Sequence, residues 1–397
     1  MPFGIFIFTE EADKGLEIKA RFPKDLKIEE KTLKIIKISH QTNKSFNFLN
    51  LTIGNAKIVS LYTGSNFNYF ISLLLKKEED PIIFENILTF ISKKIINNLP
   101  DDKYKDLLPN LFNIISLYPN FKEDQKLAIA YIDDIKRLLI SKLVKDVYIF
   151  KKDLENWLRE KLSIDHLDID SIINSLLNLG LVKNLSVEGF SEEFVFLIGD
   201  FFISRAPPSY IIELVLQEKI PKYIATSYIS KVKSYFQDYF PTIEDANKIS
   251  EIFCDLDCYQ LLDLLRLSPS SKKRLLEVGS KIKDINAALN KFQSIGALEI
   301  FKDKQNNEYY FLITDLRIQK FFPEFILNKI IKNYNNESIP ESFLIKCMKI
   351  LKDIYQKEAE RLKKEGYYES EEEREEGEER EEEGEEGEII YKEKYED

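Results

Sequence analysis

The sequence predicts an α+β protein in which a small antiparallel-sheet domain precedes a mainly helical region. Within the first hundred residues, strand-like apolar runs alternate with turn residues, whereas most later apolar residues recur at helical spacing. The distribution of charge separates a C-terminal tail from the rest of the chain. Residues 369–397 hold 17 acidic and 4 basic residues, so the preceding 368 hold 51 acidic and 53 basic residues. The net charge of −11 therefore belongs to the tail rather than to the folded body.

Residues 1–120 are predicted to form the first domain, with elements in the order ββαβββα. The runs 4–8 and 17–22 flank a turn-rich segment and predict a hairpin. A helical pattern starts at Ile28, and strand-like runs follow at 45–53, 57–62 and 69–75. A last helix is predicted from Pro81, a favourable first helical residue, to Leu99.

The start of this domain resembles the longin and roadblock family of profilin-like domains. The resemblance rests on Gly4-Ile5-Phe6-Ile7-Phe8, on Gly15-Leu16-Glu17-Ile18 and on Phe22-Pro23, which look like the first hairpin of such proteins. It implies a five-stranded antiparallel sheet with helices packed on it.

An internal repeat follows this domain. Helical patterns at 103–116 and 123–143, limited by Pro109 and Pro119, lead into it. Residues 134–198 hold three helical runs and then two strand-like pieces, and residues 257–313 repeat this order. An offset of 116 places Gly180 on Gly296 and Phe196 on Leu312. Glycine after the third helix is expected, because the chain reverses there in a left-handed conformation.

Three helices followed by a hairpin resemble winged-helix domains. We therefore predict winged-helix domains at 121–204 and 251–322, joined by a helical connector at 205–250. Helices are predicted at 318–333 and 341–364, and a C-terminal helical region is assigned to 323–368. The acidic tail, 369–397, is predicted to be disordered and to compete with nucleic acid for any basic patch.

No motif of a common enzyme class is present, so no catalytic, cofactor-binding or metal-binding residue is predicted. GxxxxGK[ST], GxGxxG, HExxH and GxSxG are all missing from the sequence. His40 is expected at a helix end and His166 at a capped helix start. The three cysteines are too few for a disulfide framework and are expected to be buried thiols in a reducing compartment.

Charge tests whether the winged helices bind DNA, because a third helix that enters the major groove should carry basic or amide side chains. In the first copy, residues 162–182 contain neither Lys nor Arg but hold Asp165, Asp168 and Asp170. The second copy is basic, although Glu277 and Asp284 oppose this charge. Its candidate nucleic-acid residues are Lys272, Lys273, Arg274, Lys281, Lys283 and Lys291.

A longin-like domain followed by winged helices resembles the nitrogen permease regulator-like proteins and other longin-containing regulators of small GTPases. The resemblance implies a non-enzymatic, cytoplasmic adaptor whose partner is a small GTPase or another longin or roadblock protein, in a homo- or heterodimer. Two alternatives remain open. The first is a winged-helix DNA-binding regulator in which the longin-like domain senses or dimerises. The second is a membrane-remodelling complex of the ESCRT-II kind. No signal segment or integral membrane segment is predicted.

Overall fold

The computed structural model describes residues 2–364, apart from positions 12, 14, 43–47, 55, 65–66, 101, 163–168, 188–189 and 280–281. His166, Lys281 and the predicted tail lie outside the described residues. The chain folds into two compact units. The first comprises residues 1–186 and 191–321, and the second comprises residues 187–190 and the chain from residue 322.

A five-stranded antiparallel sheet begins the first unit, as predicted. Its strand order is β2-β1-β5-β4-β3, so β5 is the central strand and lies between β1 and β4. The strands are β1 (Gly4–Glu11), β2 (Gly15–Phe22), β3 (Phe48–Ile53), β4 (Ala56–Tyr62) and β5 (Tyr69–Leu75). Two helices accompany the sheet, α1 (Glu30–Thr42) and α2 (Glu85–Asn97).

Both faces of the sheet are covered, which explains why β1 is an unbroken apolar run. Ile5, Phe6, Ile7 and Phe8 are all fully buried although consecutive strand residues point to opposite faces. Phe6 and Phe8 belong to a core cluster with Leu33 and other α1 and sheet residues. The helix α2 contacts β4 and buries an apolar stripe that includes Ile87, Leu88, Ile91 and Ile95.

Three helices follow, α3 (Tyr104–Leu117), α4 (Glu123–Ile132) and α5 (Asp134–Asp146). The helical pattern predicted at 123–143 is divided into two helices, α4 and α5. Asp133 breaks it, because its extended backbone places the carboxylate where it accepts hydrogen bonds from the amides of Ile135 and Lys136 and caps α5. Pro109 lies inside α3 rather than at a helix end.

The first copy of the repeat, called here the first module, starts at α5. It continues through β6 (Tyr148–Phe150), α6 (Lys151–Leu162), α7 (Ile169–Asn178), β7 (Val182–Leu185) and β8 (Phe194–Leu197). Its three strands form an antiparallel sheet in the order β6-β8-β7. A connecting region follows, with β9 (Asp200–Ala206), α8 (Ser209–Leu216), α9 (Lys222–Gln237) and α10 (Ile243–Cys254).

The second copy, called here the second module, has the same order of elements. It comprises α11 (Leu256–Leu267), β10 (Ser270–Ser271), α12 (Lys272–Val278), α13 (Ile285–Ser294), β11 (Leu298–Lys302) and β12 (Glu308–Leu312). Its sheet order is β10-β12-β11, which matches that of the first module element by element. The sequence did not reveal β6 or β10, because strands of two and three residues are too short to show an alternating pattern.

The glycines aligned by the offset of 116 perform the same task in both modules. Gly180 has φ of 65° and Gly296 has φ of 68°, a left-handed conformation that favours glycine. Each ends a third helix with a hydrogen bond that spans six residues: from Leu181 N to Leu176 O at 3.0 Å, and from Ala297 N to Phe292 O at 2.9 Å. The same offset relates donors and acceptors, so the repeat extends to backbone hydrogen bonding.

Each module is followed by a seven-residue strand, and these strands pair with each other. β13 (Asp315–Phe321) runs antiparallel to β9 over seven residue pairs, with Ile318 opposite Ile203 at the centre. The prediction of a helix starting at 318 was therefore wrong. The strand β9, in which Ile203 lies 115 positions before its partner Ile318, provides hydrogen-bond partners for the backbone of residues 315–321. The helix α14 (Phe325–Asn335) begins only after Pro323.

In the second unit, α14 and α15 (Glu341–Lys364) pack together. Their buried residues are Ile326, Ile330, Phe343, Cys347 and Leu351. None of the helices in the described part of the chain is long and apolar enough to cross a membrane.

Candidate interaction surfaces

The three cysteines and His40 are buried. Burial raises the pKa of the thiols of Cys254, Cys258 and Cys347 to about 12, so they are protonated at neutral pH. His40 lies in the last turn of α1, as expected, and its Nε2 is 3.1 Å from the hydroxyl of Ser60. Among the described residues, no group of three or more His, Cys, Asp or Glu could hold a metal ion.

The predicted basic cluster forms the first turn of α12. Lys272, Lys273 and Arg274 are all exposed, and none of them forms an ion pair with another described residue. Ser271 precedes them and caps α12, because its hydroxyl accepts a hydrogen bond from the amide of Arg274. The cap positions three cations on consecutive residues of one helical turn.

The other predicted basic residues are not part of one cluster. Lys291 forms an ion pair with Asp255 at the start of α11. Burial opposes ionisation of Asp255, but hydrogen bonds from Lys291 and from the backbone of Cys258 outweigh it, so the pKa of Asp255 is lowered. Lys283 is exposed, and its backbone amide donates to Asp257 at 3.1 Å. Lys291 therefore has a structural role within the module.

The helix α13 has one apolar face and one polar face. Ile285, Ala288, Leu289 and Phe292 are buried, and α13 contacts α11. The exposed face carries three amide side chains, which belong to Asn286, Asn290 and Gln293. A helix with this division binds its own module through one side and leaves hydrogen-bonding groups at the surface.

The equivalent helix of the first module is not free, because α7 packs against α2 of the N-terminal domain. Ser175 of α7 is 3% exposed, and its hydroxyl contacts the side-chain oxygen of Asn86 on α2. Lys136 of α5 donates to the same oxygen and lies 3.7 Å from Asp133. Burial lowers the pKa of Lys136, while Asp133 and Glu85 oppose that shift.

The sequence places Asp165, Asp168 and Asp170 near the start of α7. Asp165 and Asp168 lie outside the described residues, but Asp170 is placed in the first turn of α7 and pairs with Lys151. The third helix of the first module therefore packs against the N-terminal domain.

A groove of about 620 Å³ lies between the edge strand β2 and α1. Ion pairs flank it, between Glu10 and Lys37 and, at 2.7 Å, between Glu30 and Lys34. Ile38 is 58% exposed. It was not predicted from the sequence as a surface residue. An isoleucine on the polar side of an amphipathic helix could have indicated an interaction surface. The apolar residues of the groove are Leu16, Ile18, Ile28, Leu33 and Ile38.

No protein-family model matches this chain, and no curated protein matches it.

Proposed function

We propose that the protein is a non-enzymatic adaptor or regulatory scaffold that acts through protein–protein contacts. The observation that carries this proposal is the packing of α7 on α2. In winged-helix proteins that bind DNA, the third helix enters the major groove. Here the third helix of the first module is engaged with another domain of the same chain, which is how a protein-binding module uses that surface.

The identities of the domains form part of the proposal. The sheet order β2-β1-β5-β4-β3, with α1 between β2 and β3, supports a longin-like N-terminal domain. The order helix, strand, helix, helix, strand, strand in both modules supports two winged helices. We infer a cytoplasmic location, because three free cysteines fit a reducing compartment.

We assign the partner-binding surface to the groove between β2 and α1, and the partner class to small GTPases or longin and roadblock proteins. The apolar floor supplies buried area, and the ion pairs of Lys37 and Lys34 at its rim supply orientation. Ile38 projects from this surface and is the residue whose change should affect a partner most while affecting the fold least.

The test is affinity purification of the full chain from a native lysate, with cross-linking, using the wild type, Ile38→Asp and Ile345→Asp. Ile345 is a matched control because it is also a helical isoleucine that is 58% exposed. We expect the wild type and Ile345→Asp to retain a small GTPase or a longin or roadblock protein, and Ile38→Asp to retain at least about tenfold less, the loss expected when a central interface residue worth about 1.4 kcal/mol is removed. Recovery of neither protein class by the wild type would refute the proposed function. Equal retention by the two variants would refute the groove.

A further inference from the structure

The helix α8 is apolar on most of its sides, yet little of it is covered. Five of its eight residues are Ile, Leu or Val, but only Ile211 among them is fully buried. Leu216 is 75% exposed, and Tyr210 is 50% exposed. A helix that is apolar all round is normally buried, and exposed apolar side chains that lie together mark interaction sites. The exposed side of α8 therefore indicates a surface that another element covers.

A groove of about 670 Å³ lies between α8 and α9. Val215 lines it on the α8 side, and Ala225 and Ile229 line it on the α9 side. Three hydroxyl side chains at a spacing of four residues also line the α9 side, namely Thr226, Ser230 and Ser234. Because residues four apart lie on one stripe of a helix, these short side chains form a shallow strip along which a second helix can approach closely.

Both helices are anchored from inside the first unit, so the groove has a fixed shape. The helix α8 contacts α11. Tyr228 of α9 is fully buried, and its hydroxyl donates to the carbonyl of Leu312 at 2.9 Å. The ring of Tyr228 also packs on Phe311, with the ring centroids 5.2 Å apart. A surface that is already ordered loses little conformational entropy when a partner binds.

The two helices carry charges of opposite sign. The helix α8 contains Glu213 and no basic residue, whereas α9 contains three lysines and no acidic residue. One of these lysines, Lys233, lines the groove. Glu213 and Lys233 are exposed, and neither forms an ion pair with another described residue. The turn between the helices adds Glu218 and Lys219, whose charges cancel. One surface therefore has an apolar, acidic half and a basic half with short side chains, and each half complements the other half of an identical surface.

We propose that two copies of this chain associate as a two-fold symmetric dimer through α8 and α9. Leu216 of each copy enters the groove between α8 and α9 of the other copy, and Glu213 of each copy pairs with Lys233 of the other. In a two-fold dimer the same patch of both copies supplies both sides of the contact, which the opposite charges of α8 and α9 fit. This association goes beyond the adaptor role and does not depend on it, since the groove between β2 and α1 is a different surface.

Sedimentation velocity of the full chain over a concentration series measures the dissociation constant of the dimer. Leu216→Asp tests the apolar contact. Its matched control is Leu276→Asp, because Leu276 is also a helical leucine of the first unit and is 60% exposed. Glu213→Lys and Lys233→Glu test the charge pairing, each alone and as an equal mixture of the two variants. Circular dichroism verifies that each variant is folded.

We expect the wild type and Leu276→Asp to dimerise alike, and Leu216→Asp to raise the dissociation constant at least about tenfold. Either charge variant alone places like charges together twice in the dimer, so it should raise the dissociation constant at least about tenfold. An equal mixture of the two variants should return to within about threefold of the wild type, because each mixed dimer again pairs opposite charges twice.

The proposal is overturned if the wild type remains monomeric over the whole concentration series, if the two leucine variants behave alike, or if the mixture associates no better than either charge variant alone. It is also overturned if Leu216→Asp still dimerises and Ile38→Asp does not, since that result places the contact in the groove between β2 and α1.

Discussion

The ion pair between Arg205 and Asp245 joins β9 to α10 inside the first unit. Because the pair is buried, the free-energy cost of removing one partner can be estimated. The side chain of Arg205 is only 2% exposed, and that of Asp245 is 16% exposed. The Nε of Arg205 lies 3.0 and 3.1 Å from the two carboxylate oxygens, and its Nη2 lies 2.7 Å from Oδ1. Tyr239 donates its hydroxyl to the same carboxylate at 2.9 Å.

Replacing Asp245 with Ala would leave the guanidinium of Arg205 buried without its carboxylate. Breaking a buried pair from one side costs about 3–5 kcal/mol. Because each 1.4 kcal/mol or so is a factor of about ten, amides of β9 and α10 that open locally should exchange between about 100-fold and several thousand-fold faster. Hydrogen exchange measured by mass spectrometry on the full chain, together with urea unfolding, gives both quantities.

The matched control is the double variant Arg205→Met with Asp245→Leu, which removes both charges and keeps apolar volume. Exchanging a whole buried pair for apolar residues is commonly neutral or stabilising, so the double variant should exchange close to the wild-type rate. The reasoning is refuted if Asp245→Ala accelerates exchange by less than about tenfold, far below the cost of an unpaired buried charge, or if the double variant is as unstable as Asp245→Ala.

Three further predictions concern other parts of the fold. Gly180→Ala and Gly296→Ala should each lower the free energy of unfolding by about 1–2 kcal/mol, because a left-handed backbone penalises a Cβ atom, while Asn178→Ala on the exposed side of α7 should leave the urea midpoint unchanged. The three cysteine thiols, with pKa values of about 12, should not react with Ellman's reagent in the native protein at about pH 8 and should all react in urea; reaction without denaturant contradicts their burial. Burial raises the pKa of Asp200, so its charged form destabilises the fold above that pKa. Asp200→Asn should therefore raise the urea midpoint at about pH 7, and the gain should vanish below about pH 4, where the unfolded carboxyl is also protonated; a gain that does not change with pH would contradict this assignment.

Local patterns predicted most of the elements because they depend on residues close in the chain. The strand Tyr69–Leu75 and the helix Glu341–Lys364 were predicted to the residue. The errors lie where a distant partner or a single cap overrides the pattern. Residues 318–321 have helical spacing but pair with β9, and Asp133 divides a continuous apolar pattern into two helices.

The candidate surfaces were predictable to a smaller extent. The cations of α12 were named from the sequence, because exposed polar residues follow from helical periodicity. That Lys291 is held by Asp255 could not be predicted, since the two residues are 36 positions apart and meet only when α11 and α13 pack.

By itself, the sequence determined the order of elements in the N-terminal sheet, the duplication at an offset of 116, and the acidity of the tail, because each depends on composition or short-range periodicity. Only the tertiary structure decided which of two similar modules has a free third helix. Ser175 meets Asn86 across 89 positions of the chain, and burial of that contact depends on packing between domains rather than on any local pattern. The helix α7 therefore packs on α2, whereas Asn286, Asn290 and Gln293 on α13 are exposed.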